Sequence, residues 1–298
     1  MNRRTAQLKR IVIVLIFVLG VSIGAIPGAA QSRVECSKIE SKYLKRAVPY
    51  CAMLPASFDQ EKSRKFPIIY FLHGLGDNEQ SMINAGGWSI YEDLLAKKKV
   101  GEFVVAAPYG YQSFYVNSKD GKMQYENFFL REFMPEMEKR YRFKGGRNSR
   151  GIMGVSMGGY GALHYAFKYP QKFVAVSTHM AALQDSVDSN VGNSLEGQLL
   201  TAVFGNPIDK AYYKANNPLQ LARTASVAQL RTMKIYFDCG DRDNYGFNVG
   251  AEQLHAILQK RRVPHEWHIY PGGHDWEYVL RHFDASLIWQ SRALGLTK

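Results

Sequence analysis

Short, uninterrupted apolar runs alternate with stretches of helical periodicity along most of this chain. Phe66 to Leu72 (FPIIYFL) is one such run. Phe103 to Ala107, Ile152 to Val155 and Phe173 to Ser177 are others, and Met233 to Asp238 and Glu266 to Tyr270 are strand-like runs with polar residues among the apolar ones. Between them, Ser89 to Lys98, Tyr125 to Tyr141, Gly158 to Phe167, Gly250 to Arg261 and Trp276 to Ala293 read as helices, with a kink expected at Pro135. A strand that is apolar on both faces must be covered on both faces. The alternation therefore predicts an α/β fold with a mostly parallel central sheet and helices on both sides. The chain has 298 residues and is 46% hydrophobic, enough for one large core, read here as a single domain over residues 31–298. Residues 182–227 break the alternation. They are richer in Ser, Asn, Asp and Gln and weakly periodic. They read as a small cap or lid over the functional site, or as ordinary surface helices and loops.

The first thirty residues read differently from the rest. Arg3, Arg4, Lys9 and Arg10 precede an apolar run from Ile11 to Ile26, and Gly28, Ala29 and Ala30 follow it. Basic, then apolar, then small is the layout of a secretory signal peptide, with cleavage expected after Ala30. The alternative is an uncleaved membrane anchor, but about 16 apolar residues fall short of the roughly 20 that span a bilayer. The expected location is therefore secreted or periplasmic, with no stable membrane span after cleavage. The formal charge is +12, and four of those basic residues belong to this segment. The remaining excess suits an ordinary solvated basic surface. No Lys/Arg block interleaves with aromatics, so nucleic-acid binding is not expected.

Export makes disulfides chemically allowed. Val34 to Ile39 and Ala47 to Leu54 flank a polar turn near Lys42 to Lys45, and the stretch reads as a hairpin. Cys36 and Cys51 lie equally far from a turn centred between Tyr43 and Leu44, which sets them opposite each other in an antiparallel pair. A bridge between them is the expectation, against two unrelated thiols. Cys239 lies in an apolar run and reads as a small core residue.

Gly154-Val155-Ser156-Met157-Gly158 matches G-x-S-x-G, between a strand and a helix rich in small residues. That context makes Ser156 a candidate nucleophile on a tight turn. A hydroxyl needs a base, and the partners of this motif follow in the order Ser, then Asp or Glu, then His. His274 follows Tyr270-Pro271-Gly272-Gly273, at the end of the last strand, and is preferred over His268 inside that strand. The acid is sought after Ile235 to Phe237. Asp243 is preferred, with Asp241 in reserve and Asp238 still within the strand. The Met157 N–H and the Leu75 N–H, in His73-Gly74-Leu75-Gly76, are the candidate oxyanion donors. His73 is expected to brace that loop or to contact substrate. Trp88, Tyr160 and Trp276 are candidates to line a pocket for an aromatic or sugar group, although a core position is the favoured reading of each taken alone. No set of His, Cys or carboxylate residues has metal-ligand spacing, and no nucleotide-binding motif appears, so neither a metal nor a cofactor is expected.

Several of these segments together resemble the esterase D, or putative esterase, family of α/β-hydrolases. They are Tyr70 to Gly74, GVSMGGYG from Gly154, Phe204 to Asn206, Asn217 to Leu219, DCGDRD from Asp238 and GGHDW from Gly272. That family includes S-formylglutathione hydrolases, feruloyl and acetyl-xylan esterases, and mycolyltransferases. The resemblance implies the α/β-hydrolase fold, a triad of Ser156, Asp243 and His274, and oxyanion donors at Leu75 and Met157. It implies a serine carboxylic-ester hydrolase working through an acyl-enzyme. The expected substrates are small-molecule or polysaccharide esters, of short-acyl or feruloyl type on carbohydrate. The alternatives are an acyltransferase, a siderophore-ester hydrolase, an S-formylglutathione-hydrolase-like thioesterase and a non-catalytic binding protein on the same fold. The oligomeric state is left open.

Overall fold

The computed structural model describes residues 32–189 and 195–298. The signal segment read in residues 1–30 lies outside the described residues, as do residues 190–194 of the 182–227 excursion. Eight strands form one sheet: β1 (Arg33–Ser41), β2 (Arg46–Leu54), β3 (Ile68–Leu72), β4 (Val104–Pro108), β5 (Arg150–Val155), β6 (Ala175–His179), β7 (Lys234–Gly240) and β8 (Glu266–Tyr270). Their order is β1-β2-β4-β3-β5-β6-β7-β8. The β1–β2 and β2–β4 pairings are antiparallel. Every pairing from β4 through β3 to β8 is parallel.

The continuous apolar runs explain this sheet. β3, β4 and β6 are buried at every position. Each large side chain so buried contributes about 1.5–3 kcal/mol relative to exposure. Two helix groups supply the cover. Gly87–Ala96 packs on Trp276–Ala293, while Met157–Lys168, Pro218–Thr224 and Phe247–Lys260 pack together and against β5, β6 and β7. The break expected at Pro135 is present in a wider form. Tyr125–Phe128 and Met134–Arg140 are α-helical, and Phe129–Phe133 between them forms a π turn. Proline has no N–H to continue the regular ladder, and the wide turn absorbs the mismatch just before it.

The excursion is more regular than its sequence pattern shows. Its weak periodicity conceals helices at Leu195–Phe204, Lys210–Asn216 and Pro218–Thr224, followed by Val227–Leu230. Local caps, rather than a long apolar stripe, start three of them. Asp209 accepts from the Tyr212 N–H, Asn217 accepts from the Leu219 and Gln220 N–H groups with Pro218 in the first turn, and Ser226 accepts from the Gln229 N–H.

At the sheet edge, β1 and β2 pair with Cys36 directly opposite Cys51, and the two form a disulfide. Cys239 is buried and free. Among the described residues no helix is long and apolar enough to cross a membrane. The bridge closes a loop of 15 residues. Replacing both cysteines (Cys36→Ser with Cys51→Ser) should lower stability by about 2–3 kcal/mol. Urea unfolding should show this as a lower midpoint, and an unmoved midpoint would mean that the hairpin holds without its bridge.

Candidate active site

The turn between β5 and the helix Met157–Lys168 is forced by close backbone contact. A Cβ on Gly154 would lie 2.2 Å from the Gly158 carbonyl oxygen, and one on Gly158 would lie 1.9 Å from that of Leu72. Only glycine fits at either place. Ser156 itself takes φ 55° and ψ −117°, a region that L-residues rarely occupy. Its N–H donates to the His179 carbonyl at 3.0 Å, and its own carbonyl accepts from the Tyr160 and Ala182 N–H groups. The strained turn is thus held from β6 and from the start of the excursion.

The structure brings Ser156, His274 and Asp243 into one hydrogen-bonded row. Ser156 Oγ lies 2.8 Å from His274 Nε2. His274 Nδ1 lies 2.7 Å from Asp243 Oδ2. A carboxylate can only accept, so the network assigns the proton to Nδ1 and leaves Nε2 to accept from the serine hydroxyl. Asp243 is buried. Burial pushes its carboxyl up, but hydrogen bonds from His274, the Tyr245 N–H and the Cys239 thiol, with the charge of His274, outweigh this and leave it below the usual carboxylate range. It therefore stays ionised throughout the neutral range. Cys239 is held the other way: burial and then the Asp243 charge push its thiol far up, so it is no competing nucleophile at neutral pH.

The other aspartates considered have separate partners. Asp241 Oδ1 accepts from the Gly272 N–H at 2.9 Å, bracing the loop that carries His274 without touching the imidazole. Asp238 is buried and accepts from His179, the Tyr236 hydroxyl and the Tyr278 hydroxyl. His268 lies against Glu266 and stacks on Tyr270, away from Ser156. The Leu75 and Met157 N–H groups donate to no other group among the described residues. Leu75, Met157, Ser156 and His274 line one cavity.

That cavity is about 350 Å³ in volume. Its walls are Phe114, Ala182, Leu199, Leu200, Phe204 and Phe247, with Tyr160 and Tyr213 among them. The two tyrosine hydroxyls donate to the carbonyls of Asn216 and Gln184, each at 2.9 Å, and Gln184 also lines the cavity. A smaller cavity of about 230 Å³ adjoins on the other side of Ser156 and His274, and Trp276 lines it.

One of the aromatic expectations needs correction, and the two readings of His73 separate. Trp88 lies in neither cavity; it is buried beside Tyr91 in the core under the helix Gly87–Ala96. His73 is a brace and not a substrate contact. Its Nδ1 donates to the Gly74 carbonyl, its Nε2 accepts from the Gly110 N–H, and it is buried. Burial pulls its pKa down to about 4, against the raising effect of the Gly74 bond, so it is neutral. The sequence reading also passed over Asp77, Tyr245 and His179. Asp77 and Tyr245 follow the two glycine-containing loops already singled out, and that adjacency was the available signal.

Replacing Gly158 with alanine tests the turn. Gly158→Ala should cost at least about 3 kcal/mol, since a backbone carbonyl must move. A thermal melt within a degree or two of the parent would show that the turn has more room than its geometry indicates.

Residues 41–294 match the family model described as "Putative esterase". The chain is 28% identical over 243 residues to an esterase of Mycobacterium tuberculosis, covering 74% of this chain and 51% of that one. It thus spans about half the length of that curated relative. It is 23% identical over 269 residues to an acetyl esterase of Caldicellulosiruptor saccharolyticus, covering 85% of this chain and 96% of the other. Among solved structures it is similar to a ferulic acid esterase, with 29% identity, a TM-score of 0.77, and 89% and 99% of the two chains covered. An S-formylglutathione hydrolase from Agrobacterium tumefaciens shares the fold, with a TM-score of 0.73 at 18% identity over 90% and 97% of the chains. The family model spans β2 to β8 and both loops that meet at Ser156, and this chain belongs to the putative esterase family, with the α/β-hydrolase fold.

Proposed function

We propose that this chain is a serine carboxylic-ester hydrolase with Ser156 as nucleophile, His274 as general base and acid, and Asp243 as the acid that orients the imidazole. The observation that carries this is the row from Asp243 through His274 to Ser156, ending at the foot of an apolar cavity. In the first half-reaction the Ser156 hydroxyl attacks the ester carbonyl while His274 Nε2 takes its proton. The Leu75 and Met157 N–H groups hold the oxyanion, each worth about 3 kcal/mol to the transition state. His274 then protonates the departing alcohol and leaves an acyl-enzyme. Water, deprotonated by the same nitrogen, releases the acid and restores the serine.

The cavity walls support an apolar acyl group of short or feruloyl type, because the hydroxyls of Tyr160 and Tyr213 are already occupied. Relatives named acetyl esterase and ferulic acid esterase support the same acyl range, and carbohydrate as the alcohol is part of this proposal. Residues 31–298 act as one catalytic domain in this reading. The excursion 182–227 is its cap, since Leu199, Leu200 and Phe204 wall the cavity. The signal segment and the Cys36–Cys51 bridge support action outside the cytoplasm.

The test is direct. The purified protein should react with a fluorophosphonate probe and hydrolyse p-nitrophenyl esters of acetate, butyrate and ferulate. Ser156→Ala should abolish labelling and lower kcat by about 10⁴-fold or more while the circular dichroism stays unchanged. Retained turnover in that variant would remove the central assignment.

The acid is tested separately. Asp243→Asn should lower kcat by about 10³–10⁴-fold by favouring the wrong imidazole tautomer. Asp241→Asn, which loosens only the Gly272 turn, should stay within about tenfold of the parent. The reverse order would move the acid to Asp241.

A further inference from the structure

Two cavities meet at Ser156, and an apolar acyl group accounts for only the larger. The smaller lies between the Gly74 to Asp77 loop and Trp276. Both are lined by Leu75, Ser156, Tyr245 and His274. With the acyl half of an ester in the large cavity, as proposed above, its alcohol half falls to the small one.

The small cavity holds a carboxylate that the catalytic row does not use. Asp77 is half-buried, and burial raises its carboxyl above the usual range, against hydrogen bonds from the Trp276 side chain and the Gly74 N–H. No cation among the described residues helps to hold its charge. Asp275 also lines the cavity, but its Oδ1 accepts from the Tyr278 N–H at 2.7 Å, at the head of the helix Trp276–Ala293. An ionised carboxylate offers about four acceptor positions. Two are used at Asp77, so acceptor capacity remains in the space beside Ser156. A partly desolvated carboxylate without a cation is costly to keep unless further donors reach it.

Building on the reading of Ser156 as nucleophile, we propose that Asp77 determines the choice of alcohol. It accepts hydrogen bonds from additional hydroxyls of an uncharged polyol leaving group, and it rejects leaving groups that carry an anion. Loss of one hydrogen bond to a charged acceptor corresponds to about a tenfold effect. Repulsion between two anions at this range in a partly solvated cleft is of similar or greater size. The positive net charge of the chain sets the overall field against a cationic substrate, which favours hydroxyl over ammonium donors.

One acyl group on four alcohols isolates the effect. The probes are glycerol monobutyrate, p-nitrophenyl butyrate, butyrylcholine and the butyryl ester of 4-hydroxybutanoate, and the readout is kcat/KM relative to the p-nitrophenyl ester. Asp77→Ala should lower the relative value for glycerol monobutyrate about tenfold. Asp77→Asn keeps a carbonyl acceptor and the side-chain size, and should hold that value within about threefold. The same variant should raise the relative value for the hydroxybutanoate ester about tenfold. Should Asp77→Ala fail to fold, Asp77→Asn still reads the charge through the hydroxybutanoate ester. Equal losses on all four esters would make Asp77 a brace of the oxyanion loop and overturn the proposal. Preference for butyrylcholine, lost in Asp77→Asn, would overturn the polyol in favour of a cation. Wild-type protein that neither turns over any ester nor takes the fluorophosphonate label would bring down both readings. Turnover with unchanged ratios would bring down this one alone.

Discussion

The crossing of backbones at Gly154, Gly158 and Leu72 is the constraint on which the rest of the site depends. It brings the start of the helix Met157–Lys168 against the end of β3, within van der Waals range of the Leu72 carbonyl. The helix N-terminus and the loop after β3 are thereby set side by side, and their free N–H groups at Met157 and Leu75 reach one cavity. Ser156 cannot relax at this crossing. Its φ of 55° costs of order 1–3 kcal/mol. The hydrogen bonds from its N–H to His179 and to its carbonyl from Tyr160 and Ala182 hold it there. The serine hydroxyl consequently stands clear of the turn, pointing at His274 rather than back into the ladder.

Three aspartates on or just after β7 show how position along one strand end divides carboxylates among different tasks. Asp238, still inside the sheet, is fully sheltered and satisfied by His179, Tyr236 and Tyr278. His179 completes the link by placing its other ring nitrogen 2.8 Å from Ser286 Oγ. This buried row ties β6, β7 and the last helix together directly beneath the turn, because His179 also supplies the carbonyl that receives the Ser156 N–H. Three residues on, Asp241 faces the backbone of the next loop. Two further on, Asp243 curls back under the imidazole, with the Tyr245 N–H holding its other oxygen at 2.9 Å. The row Ser–His–Asp recurs in the buried set of Ser286, His179 and Asp238, but that set is sealed from solvent. Geometry between side chains does not make a site without access.

What could be read in the sequence follows from how local each determinant is. The parallel sheet was legible because its apolar runs are continuous, and the Cys36–Cys51 bridge because a hairpin register is simple arithmetic about its turn. The turn at Ser156 was legible because close approach demands glycine at fixed offsets. The helices of residues 195–224 were not legible through periodicity, since they bury small patches on one another and start from Asp209 and Asn217 caps. Trp88 misled for a related reason. An aromatic suited to a pocket is equally suited to a core, and only its contacts with Tyr91 and the neighbouring helices decide. His73 sits beside the oxyanion loop in sequence, yet both its nitrogens are consumed by backbone.

The same division separates chemistry from specificity. Ser156, His274 and Asp243 lie just past the ends of β5, β8 and β7, which one parallel ladder holds in register. The apolar walls of the large cavity come instead mainly from residues 182–213, with Phe114, Tyr160 and Phe247, all outside the ladder. A change of one large side chain at Leu199, Leu200 or Phe204 alters the cavity without touching the sheet, so such walls can diverge while the row stays intact. Asp77 stands between these regimes. It lies only three residues after Gly74, in a loop pinned by His73, yet its carboxyl faces the smaller cavity rather than the row. A charge held that rigidly beside a reacting centre acts on whatever group lies on its side of the scissile bond. In the proposed reading the alcohol half of a substrate therefore meets a fixed carboxylate, whereas the acyl half meets the largely apolar walls of the larger cavity.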